Sequence, residues 1–399
     1  MTADLGRNHD GTRIHAIVLT RDRPETLRRC IATAFSSLGP QDKLTVLDDS
    51  LPAAYAANAV LFAMTPSASA PTRVHLSVSR AREVIAGSIS AQSLLWLSKT
   101  APRDIAPLRN LSLLLSAAVP AETTVLIDDD IHGFDLDATH QRLRTIVQAN
   151  QGVIAGADIG GSNEQDTITR LIDAIDMLER LPPDLKAESG RDLFHVPVAL
   201  HSVIGSLCRY VSAGYLAFQL PPERLLAFPP GYNEDWLWCL LYGGDAHVRI
   251  LRLGEAVVHE PPTVRRPTRE DFLFELVGEL VFDCLDEQRA EKDLDPEAAL
   301  TGLLERLPSP ASMPSARALE LTEKARSSSQ NGGSLSVLEE YGLAVLADML
   351  RAGELFMDGS RVLTDWCGDA IAKQRSVAAT LRDEGAMPAL KALLREGSL

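Results

Sequence analysis

The sequence predicts an α/β protein: a mostly parallel sheet flanked by helices, followed by a helical C-terminal region. Three observations carry that expectation. Short apolar runs alternate with longer stretches of helical period up to about residue 265, the pattern of strands joined by crossover helices. Two of the runs close on clustered aspartates, which would gather at one edge of such a sheet. Beyond about residue 267 the pattern turns helical, broken by SSSQNGGS at 327–334, a flexible linker by composition. The expected organisation is one α/β domain over 1–265 and a mainly helical region over 266–399.

The elements follow in order. Residues 15–20 (HAIVLT) read as a first strand, and RDRPET as a loop entering a helix whose period runs over 26–35. A second strand, 43–47 (KLTVL), ends at Asp48-Asp49-Ser50, and a helix is expected over 53–64. Residues 72–77 (TRVHLS) form a third strand candidate, and 125–127 the core of a fourth. Between these, 108–118 (LRNLSLLLSAA) has helical composition and no breaker before Pro120. A buried strand is read at 153–157 and a helix at 166–181. Late strand runs are read at 248–253 and 256–258, and further helices at 270–288, 335–352 and 369–394.

Composition narrows the function. The 399 residues are 45% hydrophobic and 23% charged, enough apolar material for a large core. Fifty-four acidic residues against 39 Lys and Arg give −15, so a broad basic face for nucleic acid is excluded, while one phosphate-bearing ligand in a local basic pocket is not. The five cysteines are scattered, with no C-x-x-C pair, which argues against a zinc cluster or a disulfide framework. The first ten residues are polar, and no run reaches the roughly 18 apolar residues of a membrane span. The expectation is a soluble, cytoplasmic protein.

The densest local signal is VLIDDDI at 125–131. Side chains alternate along an extended segment, so Asp128 and Asp130 share a side while Asp129 points elsewhere. Two hard oxygen ligands at i and i+2 suit Mg²⁺ or Mn²⁺ bridging a diphosphate; the alternative is a solvated acidic loop. Asp48 or Asp49 could accept hydrogen bonds from a base or ribose, or simply cap the next helix. Arg109, beside Asn110, could neutralise phosphate, or be a surface arginine. In GYNEDWLW at 231–238 the acidic pair Glu234-Asp235, flanked by aromatics including Trp236, suits a sugar pocket; a helix N-terminus followed by buried tryptophans has the same composition. His259 follows a strand and could ligate a metal or end that strand as a partly exposed histidine.

Taken together, IVLTRDRPETLRRC, VLDDS, PLRNLSLLL, VLIDDDI, GYNEDWLW and VVHEP, in this order over about residues 13–262, resemble a glycosyltransferase of the GT-A fold, with its Rossmann-like sheet, and are most similar to the inverting family 2. The resemblance implies that Thr20, Arg21, Arg23 and Asp48 or Asp49 hold the nucleotide; Arg109, Asn110, Asp129 and Trp236 are read beside them as further residues of the cofactor site. It places the DxD motif on Asp128-Asp129-Asp130, which with His259 would hold Mn²⁺ or Mg²⁺. The general base falls on Asp235, with Glu234 as the alternative. Arg265 and Arg266 would lie on a loop over the diphosphate, and 160–163 (GGSN) would form an acceptor loop or a plain turn. The implied enzyme is a hexosyltransferase moving sugar from a UDP- or GDP-sugar to an acceptor hydroxyl, with no transmembrane segment and with the C-terminal helices offering a homodimer contact. A sugar-phosphate nucleotidyltransferase would carry a glycine-rich loop after the first strand, which Arg21-Asp22-Arg23-Pro24 lacks. A non-catalytic nucleotide-sugar-binding protein is the other rival.

Overall fold

The computed structural model describes residues 11–66, 71–87, 96, 104–119, 121–146, 152–161, 208, 210–231, 233–242, 245, 247–260, 281–282, 285, 359–383 and 385–398. Its centre is an eight-stranded sheet ordered β3-β2-β1-β4-β7-β6-β8-β5. Strands β1 (Ile14–Thr20), β2 (Lys43–Asp48), β3 (Thr72–Ser77) and β4 (Thr123–Asp128) pair in parallel. β7 (Tyr215–Gln219) runs antiparallel to both β4 and β6 (Gly152–Gly161), β6 pairs in parallel with β8 (Val248–His259), and the two-residue β5 (Ile131–His132) closes the far edge against β8. The mostly parallel α/β sheet with C-terminal helices is the fold that the alternating runs predict.

β1 is buried along all seven residues, because both of its faces are covered. Ile14, Ala16 and Val18 meet α1 (Pro24–Ser37) through Leu27, Cys30, Ile31, Ala34 and Phe35, and α2 (Pro52–Met64) through Phe62. Ile17 and Leu19 face the opposite core, with α3 (Val78–Ala86) and α4 (Ala106–Ala118). Proline in the first turn of α1, α2 and α4 starts each helix where its missing N–H costs nothing. α5 (Leu136–Ile146) and α6 (Glu234–Leu241) complete the elements around the sheet.

The C-terminal helices α7 (Gly359–Arg382) and α8 (Ala386–Glu396) are built into this core. Leu390, Leu393 and Leu394 of α8 and Val377 of α7 pack with Val74, Ile85 and Leu111, and His75 N–H donates to Gly397 C=O at 3.0 Å. These two helices therefore commit apolar residues to the chain's own interior. Trp366, Cys367 and Ala370 of α7 form a third cluster with Leu237, Leu240 and Leu241 of α6.

Several expectations are corrected. The single helix read over 369–394 is two, broken where the Asp383 carboxylate accepts from the N–H groups of Gly385 and Ala386 at 2.8 and 3.1 Å. The two late strand runs are one strand, β8, and Gly160-Gly161 belong to β6 and not to a turn. α3, β5, α5 and β7 were not expected: α3 follows β3 without an intervening loop, and β5 is too short to show a period. The helices read at 166–181 and 335–352, the linker at 327–334, residues 162–163, Arg265 and Arg266 lie outside the described residues, as does most of 270–288. No helix among the described residues is long and apolar enough to cross a membrane.

Candidate active site

Register assembles the site. Thr20 pairs with Asp48, Leu19 with Asp128 and Asp48 with Ser77, so the carboxyl ends of β1 to β4 finish level and deliver their polar residues to one edge. The chain then turns at Asp22, which holds a left-handed φ of 57°, with its N–H on Ser50 Oγ at 2.6 Å and its carboxylate accepting from Leu51 N–H at 2.8 Å.

The aspartate triplet divides its labour. Asp129 turns inward and is 3% exposed; it accepts from Thr20 Oγ1 at 2.6 Å and Arg23 Nη1 at 3.1 Å. Burial pushes its pKa up to about 7, with Asp130 adding to the rise against the pull of Arg23. Arg23 also reaches Asp130 at 3.1 Å, and His259 Nε2 lies 3.5 Å from the same Asp130 oxygen because β8 ends beside β5. Asp128 Oδ2 meets Arg109 Nη2 at 3.2 Å, while its buried Oδ1 has no hydrogen-bond partner. Burial raises the Asp128 pKa as well.

Arg109, from α4, joins the triplet to the acidic pair. Its Nη1 lies 2.6 Å from Glu234 Oε1 and 3.8 Å from Asp235 Oδ2, and its guanidinium sits 5.8 Å from the Phe228 ring centre. Burial opposes its charge, but the fields of Glu234, Asp128 and Asp235 outweigh it and raise the pKa. Burial pushes the Glu234 pKa up to about 8, against the pull of Arg109 and with Asp235 adding to the rise. Asp235 accepts from the N–H groups of Ala213 at 2.7 Å and Trp236 at 2.8 Å.

The pair is delivered by a rigid approach. Gly231 has φ of 107°, where a side chain would be strained and a Cβ would meet Trp366 Nε1 at 3.2 Å. Asn233 follows in the left-handed region at φ 58°, and α6 begins at Glu234. Ahead of it, segment 226–230 takes its partners from the side chains of three helices. Leu226 N–H donates to Tyr242 Oη at 2.9 Å, and Trp238 Nε1 donates to Leu226 C=O at 2.7 Å. The Gln374 amide bonds both peptide groups of Ala227 at 2.7 and 2.6 Å, and the Asn110 amide those of Phe228 at 2.7 and 3.2 Å. Trp366 Nε1 donates to Pro230 C=O at 2.6 Å.

Of the residues expected from sequence, Thr20, Arg23, Asp128, Asp129, Asp130, His259, Arg109, Glu234 and Asp235 form one connected network. Trp236 adjoins it. Arg21 is exposed and lies 3.9 Å from Asp49 at the same edge. Asp48 sits deeper: its oxygens accept from Ser50 N–H and Asn58 Nδ2, both at 2.9 Å, and pair with His75 at 3.0 Å. Burial opposes its ionisation, but His75, Ser50 and Asn58 outweigh it and lower its pKa. The Asn110 amide is committed to Phe228. The residues sequence reasoning missed are Ala213, Tyr210, Trp366 and Gln374; each acts across a large sequence separation, and no local pattern marks them.

The donor chemistry suits a hard divalent cation. Five carboxylates meet two guanidiniums, and Asp128 Oδ1 is buried without a donor. Among the described residues no three His, Cys, Asp or Glu side chains already converge as a metal-holding group. No family model matches the chain, and no curated protein matches it. Among solved structures, the chain is similar to the mannosyltransferase PcManGT from Pyrobaculum calidifontis in complex with GDP-Man and Mn²⁺, at 15% identity and a TM-score of 0.44, over 90% of this chain and 85% of that one. S. aureus TarS 1-349 in complex with UDP-GlcNAc gives 11% and 0.41 over 93% and 92%. Glucosyl-3-phosphoglycerate synthase from Mycobacterium tuberculosis, in complex with Mn²⁺, UDP and phosphoglyceric acid, gives 17% and 0.36 over 63% and 72%. These are loose likenesses, and the functional reading rests on the chain's own geometry.

Proposed function

We propose that the chain is a metal-dependent GT-A glycosyltransferase that moves a hexose from a UDP- or GDP-sugar to an acceptor hydroxyl with inversion. The observation that carries this reading is the Arg109 bridge, which sets the aspartate triplet and the acidic pair within one guanidinium of each other at the carboxyl edge of the sheet. Such a site can hold a departing diphosphate on one side and an attacking hydroxyl on the other. Asp128, Asp130 and His259 would hold Mn²⁺ or Mg²⁺, whose bound charge offsets that of the leaving nucleoside diphosphate.

The protein's own groups have distinct parts. Thr20 and Arg23 fix Asp129 and keep the triplet in place. Asp49, at the open end of β2, takes the ribose or base contact, since Asp48 is occupied by Ser50, Asn58 and His75. Asp235 takes the proton from the acceptor hydroxyl; its two backbone donors orient the carboxylate. Glu234 is engaged by Arg109 at 2.6 Å and is not the base.

Calorimetry with UDP and GDP, with and without Mn²⁺, tests the donor site: metal-dependent binding is expected, and Asp130→Ala should abolish the metal dependence. Asp235→Asn keeps shape and removes basicity, so turnover should fall about 10²–10⁴-fold with an inverted product anomer by NMR. A retained anomer, or near-normal turnover in the variant, removes Asp235 as base.

A further inference from the structure

The chain has four tryptophans, and three of them are buried with the indole N–H committed inside the protein: Trp96 to Thr380 Oγ1 at 3.1 Å, Trp238 to Leu226 C=O and Trp366 to Pro230 C=O. Trp236 differs. It is only partly buried, and among the described residues its indole N–H has no acceptor. Its ring lies against Tyr210, with centroids 4.8 Å apart, and against Phe282 at 5.3 Å; Tyr210 and Phe282 meet edge-on at 5.1 Å. Tyr210 is itself only partly buried.

Two short stretches place this platform beside the carboxylate. Segment 210–213 supplies Tyr210 to Trp236 and the Ala213 N–H to Asp235, while residues 235 and 236 are neighbours on α6. A carboxylate, an indole N–H without an acceptor among the described residues and an aromatic ring within one turn of helix match the surface of a sugar, whose C–H face is apolar and whose rim carries hydroxyls. The charge balance selects further. Among the described residues, the two guanidiniums in the cluster, Arg23 and Arg109, are already paired with carboxylates, so beside Asp235 these residues favour an uncharged acceptor over a phosphorylated one.

We propose that Trp236, backed by Tyr210 and Phe282, is the acceptor platform, and that the acceptor is a neutral pyranoside stacked on the indole with its hydroxyl at Asp235. The assignment deepens the glycosyltransferase reading and rests on it for the word acceptor; the sugar site itself can be measured without turnover. The probes are the methyl α- and β-pyranosides of glucose, mannose, galactose and N-acetylglucosamine. They are titrated into the full chain with UDP or GDP and Mn²⁺ present and absent, and read by tryptophan emission and by calorimetry. One neutral pyranoside is expected to change the emission saturably. Trp236→Phe should remove that change and weaken calorimetric binding several-fold, because ring and N–H are separated; Trp236→Ala, checked for folding by circular dichroism, should weaken it at least about tenfold. Glucose 6-phosphate should not bind. The proposal is overturned if no neutral pyranoside binds under conditions where nucleotide does, if only the phosphorylated sugar binds, or if the emission change survives in Trp236→Phe. Pyranoside binding without any nucleotide binding would instead remove the glycosyltransferase reading and leave the platform standing.

Discussion

Replacing Arg109 by Met tests how the two halves of the site are held together. The guanidinium has side-chain exposure of 6% and faces Glu234, Asp128 and Asp235 at 2.6, 3.2 and 3.8 Å. At an effective dielectric near 20 each contact is worth roughly 4–6 kcal/mol, most of which offsets the cost of taking the charges out of water. Removing one partner leaves the carboxylates buried together, so the expected net loss is about 3–5 kcal/mol at pH 8. The pH dependence identifies the cause. Glu234 already binds its proton with a folded pKa of about 8, above its unfolded value, and loses the lowering influence of Arg109 in the variant. Below pH 8 Glu234 takes up a proton on folding in wild type and variant alike, so the gap is nearly constant there. Above pH 8 the wild-type carboxyl ionises beside Arg109 while the variant's stays protonated, so only the variant goes on losing stability, by up to about 1.4 kcal/mol per pH unit for each titrating group. Urea unfolding at pH 7 and pH 9.5 should show the gap to wild type wider at the higher pH by at least about 1 kcal/mol. An equal gap at both pH values, or a variant as stable as wild type at either, would refute the account of Arg109 as the cation that holds the cluster.

Two further predictions concern the scaffold. His15 is fully buried with Nδ1 unpartnered, and burial, helped by Lys43, lowers its pKa to about 3. Below pH 6.5 the unfolded chain takes a proton that folded His15 refuses, so stability falls with pH through the window from 6.5 to 3. At pH 4.5 this costs about 2–3 kcal/mol, and the urea midpoint of His15→Gln should gain on wild type by that amount between pH 7 and 4.5; midpoints that move in parallel would count against it. Gln374→Leu strips both peptide groups of Ala227 of their partner and should cost about 2–5 kcal/mol, while a loss below about 0.5 kcal/mol would mean that water or a neighbour replaces the amide.

The strands and the acidic motifs were legible because β1, β2 and β4 carry their signal locally: continuous apolar residues where both faces are buried, then carboxylates where the strand ends. What the sequence does not carry is parity. Asp48 and Asp49 look equivalent in VLDDS, and only the neighbouring strand, which brings His75 to Asp48, decides which one turns inward. Arg109 was legible as a charge near the site but not as the bridge between two motifs 19 and 125 residues away, a relation that exists only once α4 lies across the sheet. Asn110 was grouped with it by adjacency, yet one position along a helix rotates the side chain about 100°, enough to turn its amide onto Phe228.

The segment before the acidic pair has a consequence for amide exchange. Three successive N–H groups, those of Leu226, Ala227 and Phe228, belong to no helix and no strand, yet each donates to a side chain from a different helix or its cap: Tyr242, Gln374 and Asn110. Deuterium uptake in an irregular stretch is ordinarily fast. Here it becomes a three-channel gauge, in which slow uptake at each amide reports whether α6, α7 or α4 is seated. A helix that loosens would then announce itself at its own amide, one residue from the next, before the carboxylates that the segment presents have moved.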